Sequence, residues 1–168
     1  MAQQALFITT KDIQRFTAMN GSVDADNFVQ FVKITQDLDI QNYLGTDLFN
    51  KINDDIVAGT ITGNYLTLLN TYIKPMVIHW SMTYYLPWTA YTIANRGVYK
   101  HNSENSETVS KTEVDYLVEK ERTIAMAYTQ KFIKYICNNE ALFPEYSSNT
   151  DNDVVPSRSN SNFGGWQL

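Results

Sequence analysis

The strongest constraint in this sequence is a central stretch that carries no acidic residue. Residues 61–100 hold three basic side chains and no Asp or Glu, and residues 75–95 hold no Asp, Glu, Lys or Arg. A stretch of that length could cross a bilayer. Prolines and polar side chains interrupt it, however, and its Tyr and Trp residues would lie at mid-depth rather than at the interfaces. The stretch is therefore predicted to be a buried, aromatic-rich helix that does not span a membrane.

The two flanks of this stretch carry most of the charge. Residues 1–60 hold four basic and eight acidic groups, and residues 101–168 hold six basic and ten acidic groups. The formal net charge of −5 argues against a general affinity for phosphate backbones. A chain of 168 residues can bury one hydrophobic core, and its single cysteine excludes an intramolecular disulfide.

Apolar spacing and capping residues predict a mainly α protein, a bundle of about five helices. Thr9 with Asp12, and Ser110 with Glu113, have the spacing of capping boxes at helix starts. Thr46 is predicted to cap a helix that ends at Gly59. A long aromatic helix is predicted from about residue 64 to residue 95, kinked near its two prolines, followed by an exposed loop over residues 96–110. The last long helix is predicted to end near residue 138.

The C-terminal segment differs in composition from the rest of the chain. Residues 147–168 include nine Ser or Asn residues and few apolar ones, so the segment alone cannot bury enough surface to offset its ordering entropy. We therefore predict a helical domain over residues 1–146 and a flexible, extended arm over residues 147–168. Phe163, Trp166 and Leu168 near the end of the arm are candidate anchors for a partner, although an inert tail is the alternative.

The sequence offers little catalytic chemistry. No catalytic, cofactor-binding or metal-ligating residue is expected, because His79 and His101 are far apart and no zinc-ligand spacing or phosphate-binding glycine loop occurs. Asp54 and Asp55 are interpreted as part of a solvated helix face. We therefore predict a protein that is not an enzyme and needs no cofactor.

The aromatic cluster of the central helix has two possible uses. Trp80, Tyr84, Tyr85 and Trp88 could pack in the core, or they could form an interface between subunits. A platform for stacking nucleic-acid bases is disfavoured, because only three basic residues lie nearby.

Residues 41–52 carry a family resemblance. They resemble the Tyr-Leu-Gly-x-x-Leu-Tyr/Phe helix junction of phage head–tail connector proteins, also called adaptor or neck ring proteins, and in particular those of the crAss-like phage group. The order of helices, polar loop and C-terminal arm is similar as well, over about residues 5–145. The resemblance is weakest in the loop and in the arm.

The resemblance implies a structural virion protein made in the host cytoplasm and located at the neck. Neighbouring copies, twelve in such proteins, would form a ring below the portal protein and present a platform for the next neck or tail protein. DNA would pass through the lumen without specific binding, helped by acidic side chains if these face the channel. Truncation after Ser148 is expected to leave the domain folded and to weaken assembly.

Two other classes stay open. One is a helical binding or scaffold module that is not part of a virion. The other is a hydrolase that uses the region of Asp54 and Asp55.

Overall fold

The computed structural model describes residues 4–17, 25–89, 91–94, 97–100, 110–148 and 153–158. Seven α-helices lie within these ranges: α1 (Thr10–Phe16), α2 (Ala25–Thr35), α3 (Gln41–Leu44), α4 (Thr46–Ala58), α5 (Gly63–Leu68), α6 (Lys74–Tyr85) and α7 (Lys111–Asn138). Two π-helical segments, Gln36–Ile40 and Leu69–Ile73, join α2 to α3 and α5 to α6. The described residues thus form five continuous helical segments, and the prediction of a mainly α bundle is confirmed.

The predicted helix ends are set by local capping chemistry. Both capping boxes are present, since the side chains of Thr9 and Ser110 accept from the backbone three residues on and Asp12 and Glu113 accept in return. Gly59 ends α4 in the left-handed conformation that glycine tolerates. The prediction for Thr46 was wrong, because Gly45 is the N-cap of α4 and Thr46 is its first helical residue.

Helix α6 lies at the centre of the core, between α2 and α7. Its residues 76–78 and 80–83 are all buried, so the helix is covered on every side. This is the physical reason why α6 carries no charged residue after Lys74, because an unpaired charge in such a position would be costly to desolvate. The π-helical segment before α6 ends at Ile73, two residues before Pro75, where proline cannot donate a backbone hydrogen bond and its ring crowds the preceding turn.

The predicted length of the central helix was wrong at its C-terminal end. Helix α6 stops at Tyr85, a 3-10 turn covers Leu86–Trp88, and Tyr91–Ala94 form a strand, β1. β1 pairs antiparallel with β2 (Gly97–Lys100), which lies in the predicted loop. Pro87 has no backbone N–H to continue the helical hydrogen-bond pattern, and the β-branched and aromatic residues that follow favour a strand. Residues 101–109 of the predicted loop lie outside the described residues.

After α7 the chain turns back onto the domain. Two 3-10 turns, Glu140–Leu142 and Pro144–Tyr146, place the buried rings of Phe143 and Tyr146 in the core. The ring of Tyr65 packs edge-on against Phe143, with centroids 5.4 Å apart, and its hydroxyl donates to Glu145 at 2.6 Å. These contacts tie the end of α7 to α5.

Candidate functional site

Helix α7 is only half covered by the rest of the domain. No residue from 111 to 124 is buried, and the first buried residue is Ala125. Twenty-eight residues of α-helix are about 42 Å long, so roughly half of that length contributes nothing to the core. A helix of 14 residues is marginally stable alone in water. The first half of α7 therefore contributes no buried side chain to the core of the described residues.

One row of side chains along α7 is exposed in the first half of the helix and covered by other residues in the second half. Leu117, Ile124, Tyr128 and Tyr135 are spaced by seven, four and seven residues, so they lie on one face of the helix. In the second half of α7 the row is covered: Tyr135 stacks on Tyr72 with centroids 4.1 Å apart, and Tyr128 stacks on His79 at 5.4 Å. In the first half it is open.

The open part of the row is apolar. Leu117 is 46% exposed and Ile124 is 39% exposed, and the adjacent Tyr116 is 61% exposed. We call Leu117 and Ile124, together with Tyr116 about 100° around the helix from Leu117, the open row. Clusters of exposed apolar side chains beside charged ones are typical of protein–protein contact surfaces. The open row is thus the candidate interaction surface of the described chain.

The four aromatic residues proposed for a subunit interface lie in different environments. Trp80 is 4% exposed and its indole N–H donates to the buried hydroxyl of Thr129 at 3.1 Å, so it packs in the core, which was one of the two uses considered for it. Tyr85 is half-buried and packs edge-on against Phe28 and Phe31. Trp88 is 52% exposed on the 3-10 turn that packs against α7. Of the four, Trp88 is the one that can contact another molecule with most of its ring.

Tyr84, the remaining member of that set, holds a buried carboxylate. Its hydroxyl donates to Asp39 in the π-helical segment Gln36–Ile40, while Oδ2 of Asp39 is buried without a hydrogen-bond partner. Burial raises the pKa of Asp39 to about 6, partly offset by the hydrogen bond from Tyr84 and by the charge of Arg122. Burial and the charge of Asp39 also raise the pKa of Tyr84 to about 12. Tyr84 therefore positions a carboxylate rather than presenting a free surface.

The predicted anchors of the arm, Phe163, Trp166 and Leu168, lie outside the described residues. Residues 153–158, the second described part of the arm after residues 147–148, rest on the junction between α3 and α4, and we call them the strap. Val154 accepts from the N–H of Thr46 at 3.0 Å and donates to its Oγ1 at 3.1 Å. The N–H of Ser157 donates to the carbonyl of Asn42 at 2.8 Å. The strap is therefore part of the folded surface and not a free extension of it.

A cleft of about 410 Å³ lies between α1, α6 and α7. Arg15, Lys74 and His79 contribute to its wall, and Nζ of Lys74 lies 3.4 Å from Oδ2 of Asp12. Nδ1 of His79 lies 2.7 Å from Oε2 of Glu121. This pair joins α6 to α7 at the level where α7 becomes covered. His79 is therefore a hydrogen-bonded residue packed between α6 and α7.

The carboxylates considered for a hydrolase are engaged in local contacts. Asp55 pairs with Lys51 at 2.8 Å, and Asp54 accepts from the amide of Asn53 at 3.1 Å. Within the described ranges no group of three or more His, Cys, Asp or Glu side chains could hold a metal ion. In the same part of the chain, no helix has the length and apolar character needed to cross a membrane.

Reasoning from the sequence missed two of these features. The exposure of the open row was missed because Leu117 and Ile124 continue the same helical spacing as Tyr128 and Tyr135, which are covered. The docking of the strap was missed because residues 147–168 were considered as one polar segment. The run Val154-Val155-Pro156, the one apolar cluster near its start, was the available signal.

Comparison with known proteins identifies the family. Neither the curated proteins nor the solved structures contain a match to the chain. The model of the family described as a family of unknown function, DUF6712, matches residues 40–155, which begin just before the α3–α4 junction and end within the strap. Because this match covers more than half of the 168 residues, the chain belongs to DUF6712.

Proposed function

We propose that this protein is a structural subunit of a tailed-phage neck. Copies of it form a ring, of twelve subunits in the connector proteins that the sequence resembles, between the portal protein and the next tail component. The observation that carries the proposal is the half-covered helix α7. A stable chain that leaves an apolar row open over roughly 10 Å of helix, from Leu117 to Ile124, has a surface suited to permanent contact with another protein.

The placement of the open row supports contact between copies. A closed ring needs two different surfaces on each subunit, one on either side, and a stiff helix that extends past the core offers one of them. Trp88 adds a second exposed aromatic residue on the turn packed against the same helix. Large aromatic side chains are enriched among residues that dominate binding energy.

The charges around the open row also suit an interface. Lys120 lies over the ring of Tyr116 at 5.1 Å, and Arg122 lies 3.5 Å from Glu119. Such exposed pairs contribute little to the stability of a monomer. At the rim of an interface they set the orientation and the association rate of the partners.

The test is imaging of the purified protein by negative stain, alone and mixed with the portal protein of the same genome. Rings of uniform diameter, or added density below the portal, would support the connector. Monomers that leave the portal unchanged would contradict it and favour a helical binding module outside the virion.

A matched pair of variants makes the test specific to the open row. Leu117→Ser with Ile124→Ser should abolish ring or portal assembly while the monomer stays folded. Val57→Ser with Leu66→Ser is the control, since Val57 is 45% and Leu66 is 39% exposed, the same exposures as the two test residues, but on α4 and α5. Equal assembly by the two double variants would show that the open row is not the contact surface.

A further inference from the structure

The junction between α3 and α4 leaves backbone groups that need partners from elsewhere. α3 ends at Leu44 and α4 begins at Thr46, so a single residue, Gly45, separates them. The last carbonyls of one helix and the first N–H groups of the next have no partner within their helix. Gly45 has no side chain that could cap α4, and no side-chain cap is present.

The strap supplies both missing partners. The carbonyl of Val154 accepts from the N–H of Thr46 at 3.0 Å, which satisfies the first residue of α4. The N–H of Ser157 donates to the carbonyl of Asn42 at 2.8 Å, which satisfies a group in the last turn of α3. Two backbone groups of one short peptide thus cap the end of one helix and the start of the next.

Pro156, which lies between these two contacts in the strap, fits the surface of the α3–α4 junction. Pro156 lies over Gly45, and it has no N–H that would be left unpaired there. A Cβ added to Gly45 would lie 2.6 Å from Cγ of Pro156 and 3.2 Å from its backbone nitrogen. The strap can therefore approach the junction this closely only because residue 45 is glycine. Proline suits the facing position of the strap because it leaves no backbone N–H without a partner.

The strap ends on a charged and aromatic contact. Nη1 of Arg158 lies 3.0 Å from Oε1 of Glu140, and its guanidinium lies 5.4 Å from the ring centroid of Tyr146. Val155, in contrast, is 62% exposed. Val154 and Ser157 contact the junction through backbone groups, whereas Pro156 and Arg158 make their contacts through side chains.

From this arrangement we infer that residues 42–46, Glu140 and Tyr146 form a binding site for a short extended peptide in which Pro and Arg are spaced as Pro156 and Arg158 are, and whose backbone bonds the junction on both sides of the proline. The occupant is the chain's own strap, which acts as an intramolecular ligand and latches α3 to α4. The latch also fixes the position of Arg158, the residue from which the rest of the arm continues. This site is independent of the proposed role in a phage neck, because it requires no other protein.

The experiment uses the full chain with its own strap released. Pro156→Gly with Arg158→Glu removes the contact with Gly45 and reverses the charge beside Glu140, and we call this protein the open variant. A synthetic peptide of residues 152–159, labelled with a fluorophore, is then titrated into the open variant and into the native chain. A second peptide with P156G serves as the ligand control.

The native peptide should bind the open variant saturably and the native chain at least tenfold more weakly. The native strap competes for the site at an effective concentration in the millimolar range, as expected for a short tether. The P156G peptide should bind the open variant at least tenfold more weakly than the native peptide. Adding Gly45→Ala to the open variant should abolish binding, whereas adding Gly59→Ala, where no atom lies within 4 Å of an added Cβ, should not.

Absence of saturable binding to the open variant, or equal binding of the two peptides, would overturn the inference. Amide hydrogen exchange on the unlabelled proteins provides an independent measurement. The amide of Thr46 should exchange at least tenfold faster in the open variant than in the native chain, since its acceptor is then lost. Unchanged exchange at Thr46 would show that the strap does not cap α4 in solution.

Discussion

The ring of Pro156 lies directly on the Cα of Gly45, although 111 residues separate the two along the chain. Gly45 has φ 76° and ψ 161°, a backbone conformation that side-chain-bearing residues rarely adopt. Glycine is thus required twice at this position, once for the turn between two helices and once for the approach of the strap.

Substitution of Gly45 should be more harmful than substitution of another glycine with positive φ. Gly45→Ala should lower the free energy of unfolding by about 2–4 kcal/mol, from backbone strain together with the collision with Pro156. Gly59→Ala is the control and should cost only about 1 kcal/mol, because its surroundings are open. Urea unfolding followed by circular dichroism measures both. Equal losses would show that the contact with Pro156 carries no energy.

Two truncations should separate the strap from the rest of the arm. Ending the chain after Arg158 should change the free energy of unfolding by less than about 0.5 kcal/mol, and it should weaken assembly if Phe163, Trp166 and Leu168 are anchors. Ending it after Ser148 should still give a folded domain, but with a loss of about 2–4 kcal/mol, because three hydrogen bonds to the junction disappear. Chemical denaturation and ring imaging of both proteins check this. Identical stabilities would contradict a structural role for the strap.

The buried Asp39 should make stability depend on pH. Its pKa is raised to about 6 from an ordinary 3.8, so the folded protein binds this proton more tightly than the unfolded chain. The resulting stabilisation is present below about pH 4 and is lost as the pH rises through 6. Asp39→Asn should therefore raise the free energy of unfolding by about 1–3 kcal/mol at pH 8 and leave it unchanged at pH 4.

Asp37→Asn is the matched control for this pH effect. Asp37 lies in the same π-helical segment, but its carboxylate pairs with Lys33 at the surface, 2.6 Å away. This substitution should not stabilise the protein at pH 8. A gain from Asp39→Asn that is equal at pH 4 and pH 8 would show that protonation of Asp39 is not its cause.

Trp80 and Trp88, eight positions apart, should respond to substitution in opposite ways. Trp80→Ala removes a core side chain and its hydrogen bond to Thr129, and should cost about 3–5 kcal/mol of folding stability. Trp88→Ala should change stability by less than about 0.5 kcal/mol and should weaken assembly, since the ring is largely exposed. Thermal unfolding and analytical ultracentrifugation distinguish the two effects. Full assembly by Trp88→Ala would remove Trp88 from the contact surface.

The features that the sequence by itself determined are those that depend on neighbours within a few residues. The capping boxes at Thr9 and Ser110, the left-handed end at Gly59 and the length of α7 all follow from contacts across one helical turn. The mainly α class and the burial of α6 follow from the same local pattern together with the missing charge. The exact end of α6 did not follow, because helix and strand preferences compete over residues 86–94.

Only the tertiary structure decided which surfaces are covered. Val154 is hydrogen-bonded to Thr46, which lies 108 positions away along the chain. No local sequence pattern indicates that the α3–α4 junction lacks a side-chain cap of its own. Likewise, Leu117 and Tyr135 have the same position on α7, but only Tyr135 has a partner, Tyr72, at its level of the bundle. The physical reason is that capping is a short-range property, whereas burial depends on where distant segments come to lie.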